Sequence, residues 1–346
     1  MTADALKADA AVSVPIRDVL TGPLGIVVAS FVVVGLALVP FGINPLEVYA
    51  AMLQGALGSP NAIAETLIYA APILLTATAA IVCFRAGMWN VGADGQLYMG
   101  AIAALLVGYN AFGLSSVVLI PMMAVAAFAG GGAWGAIPGF LRTRYGANEV
   151  IVTIMMNFLA TICATYLISG PLASGTTPIT KPIAAEGFLP VLIDGTRLHA
   201  NLLTALLVAV LTYLLLNHTV FGYEIRAVGQ NPRAARVAGI PVKRIALLSF
   251  VLSGGIAGLA GLGEVGGIHH AIPDQLSPGF GFTGIAVALL ANLNPLWAIA
   301  SALFLAVLNV GANSMQRVVG VPVALVWVIQ GFILLSLLAR GALKRR

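Results

Sequence analysis

The feature that most constrains this chain is how little charge interrupts its apolar runs. Charged residues are 8% and hydrophobic residues 60% of the 346 residues, against about 25% charged in an ordinary soluble domain. So few charges cannot cover a water-facing surface, and lipid must solvate most of the chain. Apolar runs fall at residues 22–41, 64–84, 97–111, 115–140, 149–170, 201–217, 245–265, 280–293, 295–315 and 322–340. A bilayer-spanning helix takes about 20 apolar residues, so these runs use nearly the whole length and leave no room for an ordinary soluble domain. The expected fold class is an all-α integral membrane protein of about ten transmembrane helices.

The placement of basic residues gives an orientation. With the N-terminus inside, the segments 1–21, 85–96, 141–148, 218–244 and 340–346 face the cytoplasm and hold fourteen of the 17 Lys and Arg residues. Only Lys181, Arg197 and Arg317 fall outside. Basic residues accumulate on the cytoplasmic side of membranes, so both termini are expected there. The net charge of +5 then reflects topology, and nucleic acid is not an expected partner. The organisation is a cytoplasmic N-terminal segment 1–21, a single transmembrane domain 22–340 containing the cytoplasmic loop 218–244, and a basic tail 341–346. The run from Pro23 to Phe41 exceeds the roughly 7–15 apolar residues of a cleaved signal and reads as a retained first span.

Two runs, 97–111 and 280–293, are short for a crossing. The second lies within a Gly- and Pro-rich stretch that includes Gly266, Gly267, Pro273, Pro278, Gly279, Gly281, Gly284 and Pro295. Irregular backbone at membrane depth survives only where protein or a water-filled cavity covers it, so short or re-entrant segments are expected, either beside a translocation path or as packing turns. Gly130, Gly131, Gly132 and Gly135 in one run, and Gly254, Gly255, Gly258, Gly261 and Gly263 in another, have the spacing that lets helices approach closely in lipid. Residues 44–58 read as a short interfacial helix. Cys83 and Cys163 lack any metal-ligand spacing and read as buried apolar side chains; no metal site is expected.

The loop 218–244 is the most informative segment. Asn231 suits an N-cap, Pro232 the first helical position, Gly239 the left-handed position after the end, and Pro241 stops continuation. These predict a helix over 232–238. Two turns are marginal alone in water, so this helix must dock. Arg233 and Arg236 share one face, and Ala234, Ala235, Val237, Ala238 and Ile240 offer a small apolar surface. A basic loop serving orientation alone is the plainer alternative.

Gly222–Tyr223–Glu224–Ile225–Arg226–Ala227–Val228–Gly229–Gln230–Asn231, followed by Ala235–Arg236–Val237–Ala238–Gly239–Ile240, strongly resembles the cytoplasmic loop of ABC-importer permeases. The similar branch is the binding-protein-dependent group for nucleosides, simple sugars and branched-chain amino acids. Residues 87–96, Asn148–Glu149–Val150–Ile151 with Met155, Met156 and Asn157, and residues 279–290 are similar to further segments of the family and point to its nucleoside and simple-sugar branch. Trp89, Asp94 and Ala291 depart mildly from its usual residues.

The resemblance implies that helix 232–238 couples the chain to a separate ATPase subunit, with Gly222, Tyr223, Arg226, Asn231, Arg233, Ala235, Arg236, Gly239 and Ile240 as coupling residues. It also implies a second, related permease in a heterodimer, an extracellular or periplasmic binding protein, and residence in a bacterial or archaeal cytoplasmic membrane. The sequence has no GxxxxGK[ST] phosphate loop, so no cofactor is expected on this chain, and ATP–Mg belongs on the partner ATPase. No catalytic residues are expected.

Polar groups within spans are costly and default to function. Asn90, Asp94 and Gln96 could meet sugar hydroxyls or base edges, or satisfy the backbone of a broken helix. Asn157 could touch cargo or a neighbouring helix. Glu65 and Glu264 lie near outer span ends, where a carboxylate can also snorkel or cap. Phe280 and Phe282 could gate a path, stack a base or pack the core. Glu149 suits the N-terminal dipole of its helix. His269 and His270 suit an exposed loop or a docking contact. An ion-gradient transporter would want deep ionisable groups, whereas the charges here sit mostly at span ends. An intramembrane enzyme would want a catalytic motif that the sequence lacks.

Overall fold

The computed structural model describes residues 23–111, 113–175 and 177–343. The N-terminal segment 1–21 and the last three residues of the basic tail lie outside them. Each apolar run is helical. In chain order these are α1 (Pro23–Leu38), α2 (Pro45–Leu57), α3 (Pro60–Arg85), α4 (Ala93–Asn110), α5 (Ser116–Tyr145), α6 (Glu149–Ser169) and α7 (Asn201–His218). They continue with α8 (Val220–Gln230), α9 (Pro232–Val237), α10 (Val242–Gly263), α11 (Phe280–Leu290), α12 (Pro295–Val319) and α13 (Ala324–Leu343). Among the described residues, 6 helices are long and apolar enough to cross a bilayer: α3, α5, α6, α7, α10 with its extension to His269, and α12.

One sequence device starts many of these helices. Asn44–Pro45, Ser59–Pro60, Asn231–Pro232 and Asn294–Pro295 put a side-chain acceptor at the N-cap and proline at the first helical position. The proline has no amide left to satisfy, and the cap oxygen takes one of the free amides that follow. Ser59 Oγ accepts from the Ala62 N–H at 3.1 Å and Asn294 Oδ1 from the Leu296 N–H at 3.0 Å.

The core is built around α10, which packs on α3, α4 and α5. Glycine makes this possible. A Cβ on Gly254 would meet the Gly131 carbonyl, and one on Gly258 the Ala127 carbonyl. Gly261 lies on the Leu97 carbonyl in the same way. Backbone therefore touches backbone, the contact small residues permit in lipid. The stretch 44–58 is helical as expected, but α2 buries Val48, Ala51, Met52 and Ala56 and runs along α12, so it is a packed element of the bundle.

Helices α4 and α11 are the broken elements. They begin against each other: Asp94 Oδ1 accepts from the Gly281 N–H and from Ser277 Oγ, both at 2.8 Å. Thr76 Oγ1 donates to the Phe280 carbonyl at 2.9 Å, fixing the start of α11 to α3. At its other end Arg85 Nε donates to the Leu293 carbonyl at 2.9 Å. The end of α10 widens into a π-helical turn over Glu264–His269. A short antiparallel hairpin, β1 (Ala173–Ser174) and β2 (Thr177–Thr180), follows α6. Neither the π turn nor the hairpin was expected from the sequence.

Candidate functional site

The loop 218–244 folds as two helices rather than one. Thr219 caps α8 by accepting from the Gly222 N–H at 3.0 Å. Gly222 lies so close to α7 that a Cβ would strike the Leu215 carbonyl, and Gly229 does the same at the Arg85 carbonyl. Helix α8 is thus clamped between the ends of α7 and α3. Arg226 reaches Asn217 Oδ1 at 3.4 Å, and Tyr223 is exposed.

Helix α9 forms where its punctuation placed it. Asn231 Oδ1 accepts from the Arg233 and Ala234 amides, each at 3.0 Å, and Gly239 has φ 83°. Ala235 and Ile240 turn inward and are buried. The outward face is therefore Arg233, Ala234, Arg236, Val237 and Ala238, with Val237 90% exposed. Of the expected apolar docking residues, Ala235 and Ile240 anchor α9 to its own chain. Arg233 and Arg236 make no ion pair among the described residues. A shallow groove of about 420 Å³ beside α9 adds Lys243 and Arg244, so the surface around the helix is basic.

The polar residues beside the broken helices form a saturated network. Asn90 Nδ2 donates to Gln96 Oε1 at 3.0 Å and to Ser253 Oγ at 2.9 Å, and Asn90 Oδ1 accepts from the Gly92 N–H at 2.9 Å. Asn157 Oδ1 accepts from the Gly95 N–H at 2.8 Å while its Nδ2 donates to the Val91 carbonyl at 3.0 Å. These side chains replace the intrahelical bonds that the break before α4 removes. Glu149 opens α6 and lies 3.3 Å from Arg142. Phe282 is half exposed, whereas Phe280 is buried.

At the end of the bundle opposite α9 an open cavity of about 1010 Å³ lies between the starts of α3 and α11 and the ends of α2, α10 and α12. It brings Glu65 together with Glu264, His269 and Phe280, which lie far from it in sequence. Arg197 holds Glu65 in a fork, with Nη2 at 2.8 Å from both carboxylate oxygens. His269 Nε2 stands 3.5 Å from Glu264 Oε2. The ring of His270 stacks on Phe188 with centroids 3.7 Å apart. Burial holds the His199 and His270 imidazoles below the ordinary histidine value, so both are neutral near pH 7. Asn90, Asp94, Gln96, Asn157 and Phe282 do not line this cavity. Sequence reasoning missed Tyr69, Arg197 and the carboxamides of its wall, because residues on five different elements carry no joint signal along the chain.

Three relatives and a family model frame this geometry. The model described as branched-chain amino acid transport system / permease component matches residues 62–338. The glucose ABC transporter permease protein TsgB13 of Haloferax volcanii is 34% identical over 338 residues, covering 93% of this chain and 88% of the relative. The guanosine ABC transporter permease protein NupP of Bacillus subtilis is 35% identical over 327 residues, covering 93% and 94%. The nucleoside ABC transporter permease protein NupB of Lactococcus lactis is 33% identical over 329 residues, covering 92% and 90%.

Proposed function

Since the chain belongs to the ABC-transporter permease family, and is a membrane permease subunit rather than an enzyme, we propose that it serves an ATP-driven importer of nucleosides or a related simple sugar. The observation that carries the coupling is α9: a capped helix with two arginines on its outward face that make no ion pair among the described residues, seated on α8, which is itself clamped to α7 and α3. A separate ATPase subunit carrying ATP–Mg docks there. Its closure moves α9, and α7 and α10, the two helices flanking the loop, carry the movement into the bundle.

The chain crosses the cytoplasmic membrane of a bacterium or archaeon ten times, with loop 218–244 and both termini on the cytoplasmic side. The fourteen-to-three division of its Lys and Arg residues supports that orientation. A second, related permease completes the path. A substrate-binding protein delivers cargo at the opposite end, where the large cavity opens. Nucleoside cargo is favoured because two of the three relatives described above carry nucleoside or guanosine in their names, while the third keeps a simple sugar in play.

Uptake of radiolabelled nucleosides and glucose into vesicles holding all subunits tests this reading. Accumulation is expected to require ATP and to be unaffected by collapsing ion gradients. Uptake that persists without ATP and follows an ion gradient would replace it with a secondary transporter.

A further inference from the structure

If the chain is the permease proposed above, cargo crosses the cavity at the α3–α10–α12 end, and the wall of that cavity has a definite chemistry. Its charges balance, with Glu65 and Glu264 against Arg197 and Arg317, and Glu65 is already held by Arg197. Five carboxamides, Gln54, Asn61, Gln275, Asn313 and Gln316, supply most of the remaining polarity. Tyr69 and Phe280 meet edge to face there, with ring centroids 5.1 Å apart. Such a wall suits an uncharged solute rich in hydrogen-bonding groups that also carries a ring face.

Glu264 is the exception in that wall. It is 3% exposed and opens the π-helical turn that ends α10. His269 approaches Oε2, but Oε1 has no hydrogen-bond partner among the described residues. A carboxylate at such a position is expensive unless donors satisfy it, and π turns recur at functional sites. With the other charges of the wall balanced, an uncharged donor such as a hydroxyl suits that oxygen.

We propose that Glu264 is a specificity-determining contact of the permease itself, accepting hydrogen bonds from the vicinal hydroxyls of a sugar ring as cargo moves past the Tyr69–Phe280 pair. Nucleosides and simple sugars share that diol. The contact would give the membrane subunit a selectivity of its own, separate from that of the binding protein.

A variant-by-ligand cycle in the complete complex tests this. Uptake of adenosine is compared with uptake of 2′,3′-dideoxyadenosine, and glucose with 2,3-dideoxyglucose, in the unaltered complex and in Glu264→Gln. The binding protein is the same throughout, so its preferences cancel in the ratio. Glu264→Gln should cut uptake of the diol-bearing ligand about tenfold more than that of its deoxy partner, the scale of a lost hydrogen bond to a charged group.

Glu264→Asp keeps the charge but withdraws the carboxylate from the cavity. It should show a selective loss in the same direction, and it carries the test if the Gln variant fails to assemble. Equal losses for both ligands, no loss, or full rescue of both by Asp would make Glu264 a structural residue and overturn the proposal. Those results would leave the importer reading intact. If the unaltered complex takes up none of the four probes with ATP, both fall.

Discussion

Reversing both charges in Arg233→Glu, Arg236→Glu is expected to lower uptake by at least about a hundredfold and to remove cargo-stimulated ATP hydrolysis. Both side chains are exposed and make no ion pair among the described residues, on a helix whose fold is fixed by Asn231 and by inward Ala235 and Ile240. Surface substitutions away from caps and cores usually change stability by no more than about 0.5 kcal/mol, so the variant should fold and insert. Like charges brought together at an interface cost several kcal/mol, which is enough for that loss. Reconstituted uptake, ATPase rates and retention of the ATPase subunit on affinity-purified permease are the measurements. Arg233→Lys, Arg236→Lys should retain most activity if charge is what matters. Normal uptake by the Glu pair would remove α9 from the coupling.

Gly258→Leu should abolish assembly instead. The Gly258 Cα sits where a side chain would meet the Ala127 carbonyl, with the Gly131 Cα also close by. The neighbour is backbone, which cannot swing aside as a side chain does. Overpacking a core typically costs about 1–3 kcal/mol, and forcing α10 away from α5 and α4 should exceed that range. The expected result is loss of the monodisperse peak in detergent chromatography and little protein in the membrane. Gly331→Ala on α13 is the control, since a Cβ there meets nothing within 4 Å, and it should behave as the unaltered protein. A folded Gly258→Leu variant would mean that the two helices are not in backbone contact.

Much of this architecture is written locally. The apolar runs marked the helices, and the Asn–Pro and Ser–Pro pairs marked their starts, because capping depends only on neighbouring residues. Helix α9 was legible for the same reason: Asn231, Pro232 and Gly239 lie within one short stretch. The glycines of α5 and α10 showed that close packing would occur but not which helices would meet. Helix α8 escaped because its signal, Thr219 accepting from Gly222, sits among ordinary residues, and its clamp is made by Leu215 and Arg85 on other helices.

The polar groups show the limit more sharply. From sequence, Asn90 and Gln96 looked like either cargo contacts or backbone partners, and Asn157 like a contact with cargo or with a neighbouring helix. The choice depends on Ser253, Gly95 and Val91 being within reach, which no spacing along the chain reveals. Glu264 and Tyr69 become neighbours of one cavity only when α3 and α10 are packed. The π turn that carries Glu264 has no distinctive sequence, since Glu264–Val265–Gly266–Gly267 reads as the end of an ordinary helix.

The ATPase subunit is expected to sit on α9. Val237 is 90% exposed on its outward face, so the most direct measurement is cross-linking from that position. With Cys83 and Cys163 replaced, a cysteine introduced by Val237→Cys would be labelled with a photoactivated cross-linker in membranes containing the whole complex. A covalent adduct with the ATPase subunit, its yield changing between nucleotide-free and ATP-bound states, is the predicted result. An ATPase subunit that co-purifies with the permease yet never cross-links from this position would contradict the claim and move the coupling surface elsewhere on the chain.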